Sequence, residues 1–371
     1  MGPLAMGHIY KERVRRFQEL MLKAGVDASM IRTLSSFAYF TGVKWLRPAL
    51  LIPAEEEPIA FVFEDEVPDF QKKSWIKQVI TWRRVSELMR AISGTIRERK
   101  FKTVGFDFSL ERDAYVLFFE LFKKLNKQVE IKDVHSMIMQ LRMIKDDYEL
   151  DFIKKASKIA VSGMEAAVDA IDVGVKELDV AAEAVYAVMK GGSRHPLVYV
   201  NAGPAIRVHA EPMPDIEIKN GYPVKIVVAA DFNGYYADMT RTVFVGGISS
   251  KQREILDAYL EAHSLAEEGL KPETKLADIQ ERIHAHFKER GYSRNFILGF
   301  AHGVGLLVEE DPITTIVPAH RQYIIKQNMV LASIHSPLTI PEMGAIKYED
   351  TYIIRKDGAE KLTTYDYELI R

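Results

Sequence analysis

Cysteine is missing from all 371 residues, which excludes disulfides, thiolate zinc sites, iron–sulfur clusters and a cysteine nucleophile together. The same absence points to the cytoplasm. A surplus of either charge is missing too: 50 Lys+Arg stand against 52 Asp+Glu, a formal net charge of -2. Without a basic stripe to neutralise a phosphate backbone, no nucleic acid partner is expected. Long apolar runs are lacking. Segments such as 49–52 and 226–230 are far too short to span a bilayer, and no charged and apolar leader with a small-residue cleavage site precedes them, so no membrane partner is expected and the chain reads as soluble. Residues 1–7 read as an added leader with a second start at Met6 and are set aside. What is present is 47% hydrophobic residues, enough for one large core or two moderate ones, and ordinary domain sizes favour two.

Over residues 10–24 charged side chains interleave with Val14, Phe17, Leu20 and Met21 at helical spacing, and Gly25 stops the helix. Short strands are expected around 29–34, 49–52, 59–63 and 103–106, punctuated by Gly42, Pro48, Pro53 and Pro58. They alternate with helices over 86–98 and 112–125, so the chain up to about Val134 reads as an α/β unit. Past Leu141 the texture becomes a long amphipathic helix with Phe152, Ala156, Ile159, Ala160 and Gly163 on one face. The boundary is expected near Gln140. Helices over 177–189 (closed by Gly191 and Gly192), 251–269 and 275–290 then stand between strand-rich blocks, the texture of an α+β domain.

Four blocks carry chemistry. In Ile226-Val-Val-Ala-Ala-Asp231-Phe-Asn-Gly-Tyr-Tyr-Ala-Asp238-Met-Thr-Arg-Thr242 two β-prone runs flank a turn sequence at 231–234, predicting an antiparallel hairpin with Asp238 on its second strand. A carboxylate in an apolar strand needs a partner, and Arg241 is the nearest cation in sequence. The second block is Phe300-Ala-His302-Gly-Val-Gly305-Leu-Leu-Val-Glu309-Glu310, where glycines allow close backbone approach. The third is His335-Ser-Pro followed by Gly344-Ala-Ile-Lys-Tyr-Glu349-Asp350-Thr, and the fourth is Gly203-Pro-Ala-Ile-Arg207-Val-His209-Ala-Glu211. Singly, each histidine is better explained as a structural or surface residue than as a ligand.

In this order the hairpin ending Gly-Tyr-Tyr-Ala-Asp-Met-Thr-Arg-Thr, the His-Gly-Val-Gly turn and the late Glu-Asp-Thr strand resemble the signature blocks of the prolidase, aminopeptidase P and methionine aminopeptidase superfamily. Residues 37–42 and Leu141-Arg-Met-Ile-Lys-Asp-Asp-Tyr-Glu-Leu resemble the creatinase-like N-terminal domain and the start of the catalytic domain. The resemblance implies an α+β chain: a creatinase-like N-terminal α/β domain at 8–138, then a C-terminal pita-bread domain at 139–371, an antiparallel sheet with flanking helices. It also implies a homodimer acting on a small peptide or amide-like substrate.

In that superfamily two aspartates, a histidine and two glutamates hold a pair of divalent metals that activate water. The resemblance assigns the second aspartate to Asp238, the histidine to His302 and the last glutamate to Glu349. The first aspartate falls on Val227, which ligates nothing. The penultimate glutamate falls on His335, with one inserted residue after Met329, or on Ile334 without it. A further family histidine, which aids the transition state, falls on Glu309, and the one upstream of the hairpin on His209, so the resemblance makes His209 and Glu309 the candidate catalytic residues. What remains is a possible single site of Asp238, His302, His335 and Glu349 for one zinc, manganese, iron or cobalt ion, or none. Creatinase implies a metal-free alternative in which His209 is the acid and base. Arg207 and Arg241 are candidates for a substrate carboxylate. Three functions stay open: a diverged hydrolase of a small C–N-bonded substrate, mononuclear or metal-free; a catalytically inactive peptide- or protein-binding module; and an ordinary Xaa-Pro dipeptidase.

Overall fold

Alternating short apolar strands and amphipathic helices dominate the first 142 residues, and long helices with a hairpin dominate the rest. In a computed structural model these parts form two compact units, divided between Arg142 and Met143. The structure describes residues 7–371 except 112, 113, 206, 297 and 298. The leader up to Met6, the first two residues of the 112–125 helix and Ile206 of the fourth block therefore lie outside the described residues.

The first unit runs α1 (Gly7–Ala24), β1 (Ala28–Ile31), α2 (Leu34–Thr41), β2 (Leu50–Pro53), β3 (Ile59–Phe63), α3 (Val67–Lys73), β4 (Gln78–Trp82), α4 (Val85–Glu98), β5 (Thr103–Phe106), α5 (Ala114–Leu125), β6 (Glu130–Asp133) and α6 (His135–Met143). Its six strands form one mixed sheet in the order β4-β3-β2-β1-β5-β6, with Met30, Leu51, Phe61, Ile92, Phe106 and Phe122 in the core beneath it. The division of the chain comes near the end of α6, later than the expected 138/139, because residues 135–143 form one helix. A strand reaching Leu34 was expected. Instead the chain turns helical there: the Glu111 carboxylate, distant in sequence, accepts from the Leu34 and Ser35 amides and satisfies the helix start.

The second unit opens with α7 (Asp147–Asp169) and α8 (Glu177–Lys190). Asp146 caps α7 through the Tyr148 and Glu149 amides while Glu149 reaches back to the Asp146 N–H, a capping box. These helices pack on β7 (Leu197–Ala202), β8 (Pro223–Phe232) and β9 (Tyr235–Phe244) through Ala160, Met164, Val188, Ile226 and Val228. The β8–β9 hairpin turns on Asn233 and Gly234, both with positive φ (52° and 85°), the two-residue turn that matches strand twist. Asp231 thus lies on the strand opposite Tyr236 and not in the turn as expected.

Next come α9 (Ser250–Gly269), α10 (Leu276–Glu289), β10 (Ala301–Gly303), β11 (Glu310–Ile313), β12 (Val330–Ser333), β13 (Leu338–Ile340), β14 (Gly344–Ile346), β15 (Asp350–Arg355), β16 (Gly358–Lys361) and β17 (Leu369–Ile370). Two larger sheets result, β17-β9-β8-β7 and β11-β10-β12-β15-β16, with β13-β14 as a separate pair. A backbone bridge between Thr240 and Glu349 joins β9 to the chain just before β15. The candidate residues gather at this seam.

Candidate active site

Residues directly opposite one another in antiparallel strands place their side chains on the same face. Tyr199, Val227, Thr240 and Glu349 therefore form one row across the seam, since Tyr199 pairs with Val227, Val227 with Thr240 and Thr240 with Glu349. Two residues along, on the same face, a second row holds Asn201, Lys225 and Thr242, and Thr242 Oγ1 bonds both the amide and the carbonyl of Lys347. Two residues the other way along β9, again on the same face, Asp238 lies opposite Ala229, and its backbone carbonyl and Oδ1 lie within reach of the Thr351 hydroxyl.

His302 comes from β10, seated between β11 and β12. Its Nδ1 donates to the Gly303 carbonyl at 3.0 Å, which leaves Nε2 pointing inward. That nitrogen is buried with no hydrogen-bond partner among the described residues, 3.6 Å from Asp238 Oδ2 and 3.6 Å from Glu349 Oε1. His335 Nδ1 lies 2.7 Å from Glu349 Oε1 and must donate to it, so its Nε2 faces outward, 3.7 Å from Glu309 Oε1. The His335 ring meets His302 and His209 edge-on, at centroid distances of 4.6 and 4.7 Å, and His209 stacks against Tyr199. Three imidazoles thus run from a buried end at His302 to an exposed end at His209.

Glu349 Oε2 accepts from Thr240 Oγ1 at 2.9 Å and from Lys347 Nζ at 2.7 Å. Lys347 and Glu349 are both fully buried. Burial alone would raise the Glu349 carboxyl, but Lys347 and the two histidines hold it well below the usual range. Asp238, with fewer cations about it, is raised first by burial and then by Glu349. For His302 burial favours the neutral ring, and Asp238 and Glu349 outweigh it, lifting the group to about 9. His335 moves oppositely, down to about 3, through burial and the Lys347 charge beside it. Asp238 and Glu349 therefore share His302, and Glu349 alone also has the Lys347 ammonium in contact.

Among the described residues, two groups of donors lie close enough together to hold a metal ion: His302, His335 and Glu349 inside, and His209, Glu309 and His335 outside. The partnerless His302 Nε2, equidistant from two carboxylate oxygens, is the observation that fits an ion to the inner group. The structure brings together Asp238, His302, His335, Glu349, His209 and Glu309.

Two expected site residues are committed elsewhere. Arg241 does not pair with Asp238. It is fully buried, ion-paired to Asp350 at 2.9 Å, and donates to the carbonyls of Thr240, Glu349, Thr363, Tyr365 and Asp366. Arg207 is ion-paired with buried Glu177, which also accepts from the Ala202 and Met213 amides. Its guanidinium is thereby turned into the scaffold of the loop. Asp231 is likewise structural, gathering the Ser193 hydroxyl and the Arg194 and His195 amides.

Sequence reading missed Lys347 and Lys225. Lys225 Nζ lies on the carbonyls of Arg207 and Val208, the two residues before His209. The available signal was period two: Lys347 precedes Glu349, and Lys225 precedes Val227, by the spacing that shares a strand face.

Residues 151–356 match the sequence signature of Metallopeptidase family M24, and residues 13–144 match that of the Creatinase/Prolidase N-terminal domain. The chain belongs to the M24 metallopeptidase family. A Xaa-Pro dipeptidase of Pyrococcus horikoshii is 31% identical over 98% of this M24 chain and 99% of its own length, and one of Pyrococcus furiosus is 29% identical over 97% and 100%. The crystal structure of a prolidase from Pyrococcus horikoshii superposes with a TM-score of 0.87 at 30% identity, covering 97% of this chain and all of that one. The creatinase-like N-terminal unit and pita-bread fold follow from these matches. Among the described residues of this M24 chain, no helix is long and apolar enough to cross a membrane.

Proposed function

We propose that this M24 chain is a hydrolase of a C–N bond in a small peptide or amide-like substrate, working with at most one divalent ion and with His209 as its general acid and base. The observation that supports it most is the convergence at one seam of Asp238, His302, Glu349 and His335 beneath His209. Asp238, His302 and Glu349, with His335 beside them, would hold the ion. Val227, on the strand face where a further carboxylate ligand would be needed, offers no donor to a second. Zinc, manganese, iron or cobalt suits a set of imidazoles and carboxylates. When bound, such an ion polarises a carbonyl and acidifies a water.

The protein's own contribution is proton movement and orientation. Partial burial, then the charge of Lys347, lowers His209 from its ordinary value, so the ring is a free base at neutral pH. It can take a proton from the attacking water and return it to the departing nitrogen. Tyr199 holds the ring from one side and Lys225 fixes the backbone that carries it. Glu309, half-exposed beside His335 Nε2, adds a negative charge at the mouth that favours a substrate bearing an amino group. The homodimer implied by the family is part of this reading.

The test is metal analysis of chelator-free protein together with turnover of Xaa-Pro dipeptides and creatine. One equivalent or none, with turnover, supports the proposal, whereas two equivalents identify an ordinary Xaa-Pro dipeptidase of the kind named among the relatives. A second reading, a catalytically inactive module that binds peptide or protein, is favoured by one observation: Glu349 is already paired with His302 and Lys347. No metal and no turnover would select it. Converting Val227→Asp, Glu309→His and His335→Glu together should produce Xaa-Pro dipeptidase activity, and its absence would mean that the register assigned to the lost ligands is wrong.

A further inference from the structure

A lysine side chain with no exposed surface is rare unless a partner compensates its charge. Lys347 is such a lysine. Its backbone is held by Thr242 on both sides, and its ammonium lies 2.7 Å from Glu349 Oε2 and 3.3 Å from His335 Nδ1. The two oxygens of Glu349 are thereby divided. Oε1 faces the imidazoles of His335 and His302, while Oε2 takes the ammonium together with the Thr240 hydroxyl. In a two-ion hydrolytic centre a bridging carboxylate divides its oxygens in the same way, one to each ion. The strand beside Thr240 carries Val227, an apolar residue where a second ion would need an anionic ligand.

We propose that the Lys347 ammonium is the resident second cation of this site, a covalently attached replacement for one metal ion that holds the Glu349 carboxylate in place whether or not an ion sits at His302. The proposal rests on the proposed reading of Glu349 as a ligand of the ion at His302. It links two of the altered positions: loss of a carboxylate at 227 and presence of an amine at 347 remove one anion and one dication and supply one fixed monocation, while His335 in place of a glutamate is a separate change. It also separates this chain from a damaged two-metal centre, in which Glu349 Oε2 would be left buried without a counter-charge.

The experiment uses the full chain, stripped of metal by chelator and dialysis, with cobalt as probe. Melting temperature is followed with and without cobalt, and cobalt stoichiometry by equilibrium dialysis. Wild type should bind no more than one equivalent and melt high in chelator. Lys347→Met should melt several degrees lower in chelator and recover on adding cobalt by more than wild type gains. Lys347→Arg, which keeps the charge at the cost of added bulk, should show no more cobalt response than wild type. Two equivalents bound with Lys347 intact would overturn the proposal, as would a Lys347→Met protein with undiminished stability and no enhanced cobalt response. Should Lys347→Met not fold in either condition, the double variant Lys347→Met/Glu349→Gln, which removes both charges, decides. Recovery of folding supports the pairing, and continued failure refutes it. None of these readouts uses turnover, so the absence of hydrolysis would count against the proposed function alone.

Discussion

At the scale of single residues, the chemistry turns on which imidazole is free to exchange protons. His302 is held cationic or metal-bound at the buried end, and His335 is locked by Glu349. His209 alone of the three is exposed. His209→Gln should therefore lower kcat/KM by about 10²–10⁴-fold with the melting temperature unchanged. Because the folded-state value of His209 is lowered, its base form persists as pH falls. The acidic limb of the wild-type pH–rate profile should accordingly lie below the ordinary imidazole value of about 6.5, and a limb at or above that value would remove His209 from the role. Arg241 is the contrasting case. Arg241→Met deletes one partner of a buried ion pair and frees five carbonyls, so it should cost about 3–5 kcal/mol in urea denaturation while leaving KM of the folded fraction alone. A selective rise in KM with full stability would reinstate the arginine as a substrate ligand.

At the scale of elements, the β8–β9 hairpin was legible because Asn233-Gly234 dictates its turn and the β-prone runs on either side dictate its length. Asp238 followed from it. Period two along the strands was equally available for Lys225 and Lys347, but a lysine is ordinarily a solvent residue, and only the seam between two sheets reveals that these point inward. The start of α2 was hidden for a similar reason: its amides are satisfied by Glu111, across the unit. The His-Gly-Val-Gly turn was read as a place of close approach, and the structure gives the cause. A Cβ on Gly303 would stand 2.3 Å from the Asp311 carbonyl and 2.7 Å from that of Glu310, both backbone atoms that cannot swing away. Gly303→Ala must push β11 off β10 and shift the adjacent His302. It should destabilise the second unit by roughly 1–3 kcal/mol, as overpacking does, and weaken cobalt binding. Unaltered cobalt affinity would show that the β10–β11 spacing does not position His302.

At the scale of the whole molecule, each unit carries an ionised aspartate buried in a closed hydrogen-bond network, and this sets the response to acid. In the first unit Asp107 receives the Thr33 and Ser36 hydroxyls and His135 Nδ1 at 2.7, 2.6 and 2.7 Å. Burial would raise its carboxyl, but the bonds from His135, Ser36 and Thr33 prevail and hold it below the usual value. In the second unit Asp350 is likewise opposed by burial and held down by Arg241, then by His263 and Tyr367. A carboxylate whose folded value is depressed contributes stability that is fully present above the unfolded value, about 3.9, and is lost as pH falls through the folded value. Asp107 therefore stabilises the chain at neutral pH, and the contribution disappears only in strong acid. Asp107→Asn should lower the urea midpoint at pH 7. The gap from wild type should persist down to about pH 4 and close below it, because the wild-type carboxyl then becomes neutral too. A gap that is constant from pH 7 to pH 2 would mean that shape and hydrogen-bond number at residue 107, not its charge, hold β5 to the start of α6.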